Sequence, residues 1–449
     1  MSDTPSHAQK TPTLAIIGGG IAGLTLTIAL LKHAPSIPIT LYESASAFGE
    51  IGAGVGFEPV MVRTMGLIDP RIAAAFEKCS RGNTVTDPPK WFTVRVGDQR
   101  KIVGDEKDGV VLEKSGENKK VRLGEEIFTI PAHRGPRGGI HRAHFLDELV
   151  KLVPDGIAQF RKKLAHVTEA EDGSGDAVLH FADGSTAQHS AVLGCDGIKS
   201  RTRSLVLGNS DSTAAVFSGK YVYRGLIPMT KAIEIMGEDQ PKTPQMYVGY
   251  HGHVLTFPIA NGTILNVVAF SSRPTWTDPN WVVQTSREDM LEDYKHWSPM
   301  VRSIMVNLQS FDIWALFNHL PAPIYYRSSP LICLVGDAAH ATTPHQGAGA
   351  GMCIEDVYIL SELLSQCKSK TDLEEAFRAY DAVRRPRSQK LVKTSREAGM
   401  LWEFEGEGVG DDLEALERNA TTRMAWLWDH DISTDLQKAR AIIEEKISS

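Results

Sequence analysis

The chain has 449 residues, of which 42% are hydrophobic and 23% charged, with a net charge of −7. That length suits either two or three average domains or one large α/β enzyme whose insertions build a second lobe. The acidic balance, with Lys and Arg scattered, offers no basic field for nucleic acid or for an anionic membrane surface. Five cysteines (Cys79, Cys195, Cys333, Cys353 and Cys367), odd in number and without C-x-x-C spacing, suggest neither a disulfide framework nor a zinc site. No metal is expected, and a reducing, cytoplasmic setting fits. The polar N-terminus lacks a signal-peptide pattern, and the one long apolar run, 14–31, is interrupted by glycines and reads as strand, turn and helix rather than as a membrane span.

In chain order, the first informative stretch runs from Thr13 to Glu43. Leu14 to Ile17 is an apolar strand, and Gly18, Gly20 and Gly23 form a G-x-G-x-x-G that opens a helix through Leu31. The first glycine allows the turn, the second lets backbone approach a pyrophosphate, and the third lets helix and strand pack closely. Phosphates would sit at the helix N-terminus, where unpaired N–H groups favour negative charge. The second strand, Ile39 to Tyr42, ends in Glu43, 20 residues past Gly23. A carboxylate there would accept hydrogen bonds from a ribose hydroxyl. The glycine motif alone is weak evidence; strand, spacing and acid together point to a nucleotide-binding unit.

A loop with Gly49, Gly52, Gly54 and Gly56 follows, suited to covering a cofactor, and then a helical pattern from Pro59. Residues 84–130 read as extended segments, WFTVRV and IFTIPA among them, around a charged stretch, Gly104 to Asn118, expected to be mobile. A helix is expected to begin at Gly139-Ile140-His141-Arg142 and to run through HRAHFLDELVKLV. Arg142 in its first turn opposes the helix dipole, which makes sense beside a bound anion; a solvated arginine is the alternative. After a hairpin turn at Asp183-Gly184 comes an apolar strand ending in Asp196-Gly197, followed by Ser200 and Arg203. Those polar groups stand at a strand's carboxyl end, where α/β sheets bind ligands.

Residues 214–272 form a second block of strands. Alternation puts Val222 and Arg224 on one face, and His253, Leu255 and Phe257 together on another strand. A sheet so furnished could roof a small aromatic anion, although His253 could equally be a satisfied sheet histidine. Ile332 to Val335 is a further strand, running into GDAAHATTPHQGAGAGMCIEDVYILSELL. In this second glycine-rich junction Gly347, Gly349 and Gly351 open a helix carrying Glu355 and Asp356. Asp337 can receive a hydroxyl, and His340 and His345 are expected to titrate near neutral pH. A helix from Asp372 to Arg385 is expected to end or break near Pro386, before a segment to Glu397 and a tail with Trp402, Trp426 and Trp428.

Three separated signatures, GGGIAG with Glu43, CDGIKSRTR, and VGDAAHATTPHQGAGAG, together resemble the class A flavoprotein monooxygenases, the single-component FAD-dependent aromatic hydroxylases. FGEIGAGVGFEPVMVR, YRGLIPM, AYDAVRRPR and NATTRMAWLWDHDISTDLQKAR extend the likeness over nearly the whole chain and are most similar to the salicylate hydroxylase subgroup. The resemblance implies an α/β, FAD-binding Rossmann-like fold of the p-hydroxybenzoate hydroxylase kind, with an interleaved antiparallel β-sheet substrate domain and C-terminal helices. The FAD-binding part would comprise 1–83, 131–210 and 329–400, the substrate sheet 84–130 and 211–328, and the terminal helical segment 401–449.

The same resemblance implies noncovalently bound FAD. Gly18, Gly20 and Gly23 would approach its pyrophosphate, Glu43 its adenosine ribose, and Asp337 its ribityl chain; Arg142 would reach it from the HR-x-x-F helix. Asp196 would contact FAD and a transient nicotinamide cofactor. Gly347, Ala348, Gly349 and Ala350 would lie against the flavin ring, with Pro344 at the edge where oxygen reacts. The implied activity is hydroxylation of a salicylate-like substrate with loss of CO₂ to catechol, using NADH or NADPH and O₂ through a flavin C4a-hydroperoxide. A related phenol or hydroxybenzoate hydroxylase without decarboxylation, including the dearomatising type, is the alternative, and a non-hydroxylating flavin reductase is a more distant one. His345 is the candidate base for the phenol and Arg224 the candidate anion clamp, with His253, Leu255 and Phe257 completing the substrate wall.

Overall fold

The computed structural model describes residues 11–49, 54–81, 87–98, 110–114, 119–208 and 210–448. Leu14–Ile17, buried at every residue, is central in a six-stranded sheet. It pairs in parallel with Ile39–Tyr42 on one side and Ala191–Gly194 on the other, and Leu331–Leu334 continues the parallel run. Its alternate residues serve two cores. Leu14 and Ile16 pack with the helices Ile21–His33 and Gly349–Leu364, whereas Ala15 and Ile17 pack with Leu179 and Phe181 of a separate three-stranded sheet. A strand covered on both faces is apolar throughout, which is why it reads as an unbroken hydrophobic run.

A second sheet has eight strands. Its order is Val282–Val283, Ile313–His319, Ala215–Pro228, Ile264–Ser272, Gly252–Ile259, Gln245–Gly249, Lys90–Val96 and Glu126–Pro131. Every pairing is antiparallel except that of Gln245–Gly249 with Lys90–Val96. Period-two alternation divides its residues. Tyr223, Val254, Val267 and Ala269 join a core with Met290, Val301 and Ile304 of the helices outside the sheet. Arg224, Leu255, Phe257 and Val268 face a cavity on the other side.

Two local expectations are corrected. Residues 138–141 are not the start of a helix but a strand, Gly138–His141, paired antiparallel with Gly54–Phe57; the helix is Arg142–Val150. This ribbon is pressed under Phe257, so that a Cβ on Gly139 would lie 2.4 Å from the Phe257 ring and one on Gly54 2.8 Å from it. Glycine there serves close approach between two β layers. Gly52 of the same loop lies outside the described residues, as does the charged stretch 104–118 apart from the strand Val110–Lys114, which pairs with Lys119–Arg122.

Pro386 does not end its helix, which is continuous from Lys370 to Trp402. A proline inside a helix costs about 3 kcal/mol; here ion pairs on both sides of it hold the two halves to a common support. Arg384 bonds Asp356 at 2.9 Å and Glu355 at 2.8 Å, and Arg387 bonds Glu355 at 2.7 Å. No described helix is long and apolar enough to cross a membrane, and the five cysteines are free thiols.

Candidate active site

The glycine turn after Leu14–Ile17 is built for close approach. Gly18 has φ +100°, and a Cβ on Gly23 would lie 1.8 Å from the Gly18 carbonyl oxygen. Gly20, by contrast, has nothing within 4 Å of where its Cβ would stand, and it lines the cavity. That open space at the start of Ile21–His33 suits a pyrophosphate. The Glu43 carboxylate accepts from the Gly19 N–H at 2.7 Å and from the Ala45 N–H at 2.7 Å. It therefore braces the turn from behind.

Asp196 is engaged by its own chain. Its carboxylate accepts from Ser200 Oγ at 2.6 Å, Thr202 Oγ1 at 2.5 Å and the Arg201 N–H at 2.7 Å. These bonds satisfy the first turn of the helix Arg201–Leu207. Its neighbours Cys195 and Gly197 line the cavity. Asp196 shapes that wall through the chain it holds.

The cavity, of about 380 Å³, runs from Gly20 past Asp337 to the inner face of the eight-stranded sheet. Asp337 heads the short helix Asp337–His340, and Arg142 heads Arg142–Val150; both line the cavity. On one wall Pro344–Gln346 forms a 3₁₀ turn, Gly347 is left-handed at φ +61°, and Gly349–Leu364 begins. Ser395 Oγ donates to the Thr343 carbonyl at 2.6 Å and Thr394 Oγ1 to Gln346 Oε1 at 2.7 Å, fixing this turn to the long helix. The open glycine, two helix N-termini and an acid at a strand's end fit an elongated dinucleotide such as FAD.

At the sheet end, Arg224 is half-buried, its guanidinium 5.4 Å from the Trp314 ring centre and its Nε buried without a partner. Burial, and then the charge of Arg142, pull its pKa down to about 10, so it remains a cation at neutral pH. No carboxylate among the described residues pairs with it. Leu255 and Phe257 line the same end.

His253 does not line the cavity. It is fully buried, its ring stacked on Phe270 at 4.0 Å and its Nδ1 3.1 Å from Glu403 Oε1. His345 does line it, with Nδ1 buried and unpartnered. Its expected titration near neutral pH is corrected: burial, and then the neighbouring His253, push its pKa down to about 3. His345 is a neutral imidazole there, able to accept a hydrogen bond. His340 is taken up by Asp356 at 2.5 Å.

Other polar residues of the cavity were not singled out in the sequence. Asn266 accepts from the Gly54 N–H at 3.2 Å and keeps Nδ2 unpartnered; a lone amide within ILNVVAF was a readable signal. Glu58 and Arg137 stand 4.0 Å apart, and burial pushes Glu58 up to about 7 against the pull of Arg137. Nothing local in the sequence joins those two.

A parallel-sheet dinucleotide turn opening into a cavity roofed by an antiparallel sheet is the architecture of the flavoprotein hydroxylases. The FAD binding domain family matches residues 251–395. A solved salicylate hydroxylase in a substrate complex superposes with a TM-score of 0.80 at 31% identity, covering 96% of this chain and 98% of that one. A salicylate hydroxylase of Pseudomonas putida is 37% identical over 95% of this chain and 94% of its own length. An FAD-dependent monooxygenase of Monascus ruber is 40% identical over 97% of this chain and 98% of its own. The chain belongs to this family of FAD-dependent monooxygenases, which includes the salicylate hydroxylases.

Proposed function

We propose that the protein hydroxylates a small aromatic acid of the salicylate kind with loss of CO₂, giving catechol, with NADH or NADPH and O₂ as co-substrates. The observation that carries this reading is Arg224, a cation at the cavity's end with no carboxylate partner among the described residues and a wholly buried, unsatisfied Nε. A withdrawn guanidinium is matched by a planar carboxylate, which it can grip through two N–H groups. Leu255 and Phe257 beside it offer an apolar bed for one ring.

Gly18, Gly20, Gly23, Arg142, Asp337 and the Gly347, Ala348, Gly349, Ala350 segment would hold the FAD, with Pro344 at its ring edge. When bound, FAD would pass electrons from NAD(P)H to O₂ and so activate one of its oxygen atoms for transfer. The chain's residues prepare the substrate. Arg224 fixes the carboxylate, and His345 accepts the hydrogen bond of the phenol, drawing electron density onto the ring carbon that bears the carboxylate. Bond formation at that carbon expels CO₂, and the sum balances as salicylate, NAD(P)H, O₂ and two protons giving catechol, NAD(P)⁺, CO₂ and water. Enclosure of the ring keeps water from the reacting atoms.

The Glu58–Arg137 pair favours a second reading. It gives the cavity a further polar place, with Glu58 Oε2 and Arg137 Nη1 both buried and unpartnered, beyond what salicylate alone would use. A larger phenol hydroxylated without decarboxylation would use it. Oxygen uptake, CO₂ and catechol measured across hydroxybenzoates and carboxyl-free phenols separate the two. Catechol and CO₂ in equal amounts from salicylate support the first reading. Turnover of carboxyl-free phenols without CO₂ moves the assignment to the second, and no phenol-stimulated NAD(P)H oxidation rejects both.

A further inference from the structure

Behind His345 runs a line of ionisable side chains that ends at the surface. The His345 and His253 ring centres are 5.3 Å apart, and each ring has one buried nitrogen without a partner, Nδ1 of His345 and Nε2 of His253. The rings are inclined at 49° and share no hydrogen bond as they stand; at that separation a turn of either ring brings one nitrogen within hydrogen-bond reach of the other. His253 Nδ1 lies 3.1 Å from Glu403 Oε1, and Glu403 is wholly buried. Glu403 Oε2 meets Lys220 Nζ, which also bonds Glu405 Oε2 at 2.8 Å. Glu405 Oε1 in turn bonds Nδ1 of the exposed His251 at 2.6 Å.

A buried ion pair is often no more stabilising than apolar residues of the same volume, so packing alone does not account for this one. The charges around the two rings are specific. His345 is faced by His253, Glu403, Lys220 and Arg423, and His253 by Glu403 and Lys220. Glu403 is the one acid in both sets. Burial would raise its pKa, but the hydrogen bond from His253 and the charges of His253 and Lys220 outweigh that and hold it ionised.

We propose that Glu403 and His253 are positioning residues that draw the substrate's phenolic proton away through His345, and that Lys220, Glu405 and His251 join them to solvent. The inference rests on the phenol-hydroxylating reading above. Its proton balance follows from the donors. Glu403 accepts from Nδ1–H of His253, which leaves Nε2 to accept from Nδ1–H of His345, which leaves Nε2 of His345 to accept from the phenol. When the phenolic O–H bond breaks, an N–H forms on His345 and its Nδ1 proton passes to His253; His253 gives its Nδ1 proton to Glu403, and Glu403, Lys220, Glu405 and His251 each take one proton and give one up, so that one proton reaches solvent and every side chain keeps its charge. No electrons change hands.

The experiment uses FAD-loaded protein and three readouts. In the ligand-free state, nitrogen NMR of the histidine rings, assigned with His345→Gln and His253→Gln, is expected to show both rings as Nδ1–H tautomers, and Glu403→Gln is expected to abolish that preference. Calorimetry of salicylate binding in buffers of different ionisation heat is expected to show release of about one proton in wild type and little in Glu403→Gln. In turnover, Glu403→Gln is expected to lower kcat by about tenfold or more with KM nearly unchanged, and Glu403→Asp to restore part of it. A mixed tautomer in wild type, or tautomers, proton release and the pH profile of kcat unchanged in both Glu403→Gln and His253→Gln, overturns the proposal. Because the NMR readout needs no ligand, it decides the proposal even if salicylate and other phenols prove inert, an outcome that would count against the proposed function instead.

Discussion

Arg384 and Arg224 are both withdrawn from solvent, and their surroundings are opposite. Arg384 is wholly buried and ligated by Asp356, Glu355 and Asp435 at 2.9, 2.8 and 3.1 Å. Burial works against its charge, yet those carboxylates more than compensate and raise its pKa above the ordinary arginine value. Arg224 has a tryptophan face and a second cation for company, and its pKa falls to about 10. A buried cation with all its anions belongs to the framework. One without an anion is stable only because the fold around it is stable, and it gains a partner when a ligand arrives.

The largest expected effect lies on the framework side. Arg384→Met removes one cation from three carboxylates and loosens the helix that carries Pro386. Breaking a buried pair in this way typically costs about 3–5 kcal/mol, so the variant is expected to unfold far below the wild-type temperature or to accumulate poorly. Arg224→Met, measured in the same thermal scans, is expected to match wild type or to exceed it. If both variants lost stability equally, the contrast would fail and Arg224 would count as framework.

A smaller effect is expected in binding. Arg224→Ala removes a charge-assisted contact worth roughly 1.5–3 kcal/mol, so KM for salicylate is expected to rise about tenfold or more, with flavin content unchanged. Arg224→Lys, which keeps charge without the planar fork, is expected to fall between. Unaltered salicylate kinetics in Arg224→Ala would place the clamp elsewhere, with Arg142 and Arg137 the other cavity-lining arginines to test.

The same contrast explains what was legible in the sequence. Gly18, Gly20, Gly23 and the Pro344–Ala350 segment do their work within a few residues of chain, and strand alternation was enough to put Arg224, Leu255 and Phe257 on one face. What lies opposite a residue is not local. His253 stands on the expected face, but Glu403, its partner 150 positions away, captures it behind the cavity wall. Asp196 reads as an acid at a strand's end, and the sequence does not show that the start of the following helix donates to its carboxylate. Pro386 reads as a break because the ion pairs that carry the helix through it come from other segments. Periodicity gives direction, and the occupant of that direction comes from the tertiary fold.

The smallest expected effect is a difference in slope on the acid side of the stability curve. His345 and His319 are held neutral, with pKa values pushed to about 3 chiefly by burial, whereas the same groups in the unfolded chain titrate near 6.5. Their folded values are depressed, so below about pH 6.5 the unfolded chain binds the extra protons and stability falls with pH until the folded groups titrate. The carboxylates around Arg384 act lower: Glu355 and Asp356 are held below their ordinary values because Arg384, Arg387 and His340 outweigh burial. Their contribution is present above about pH 4 and is lost as pH falls through those depressed values. Denaturant unfolding at pH 5 to 6 is therefore expected to show a positive slope of stability on pH that His345→Gln reduces by about one proton, or roughly 1.4 kcal/mol per pH unit. Unfolding below pH 4 is expected to remain steep in that variant, because Arg384 and its carboxylates are untouched. An unchanged slope between pH 5 and 6 would mean that His345 is not held neutral in the folded state, and that the cavity around it is wetter than its burial indicates.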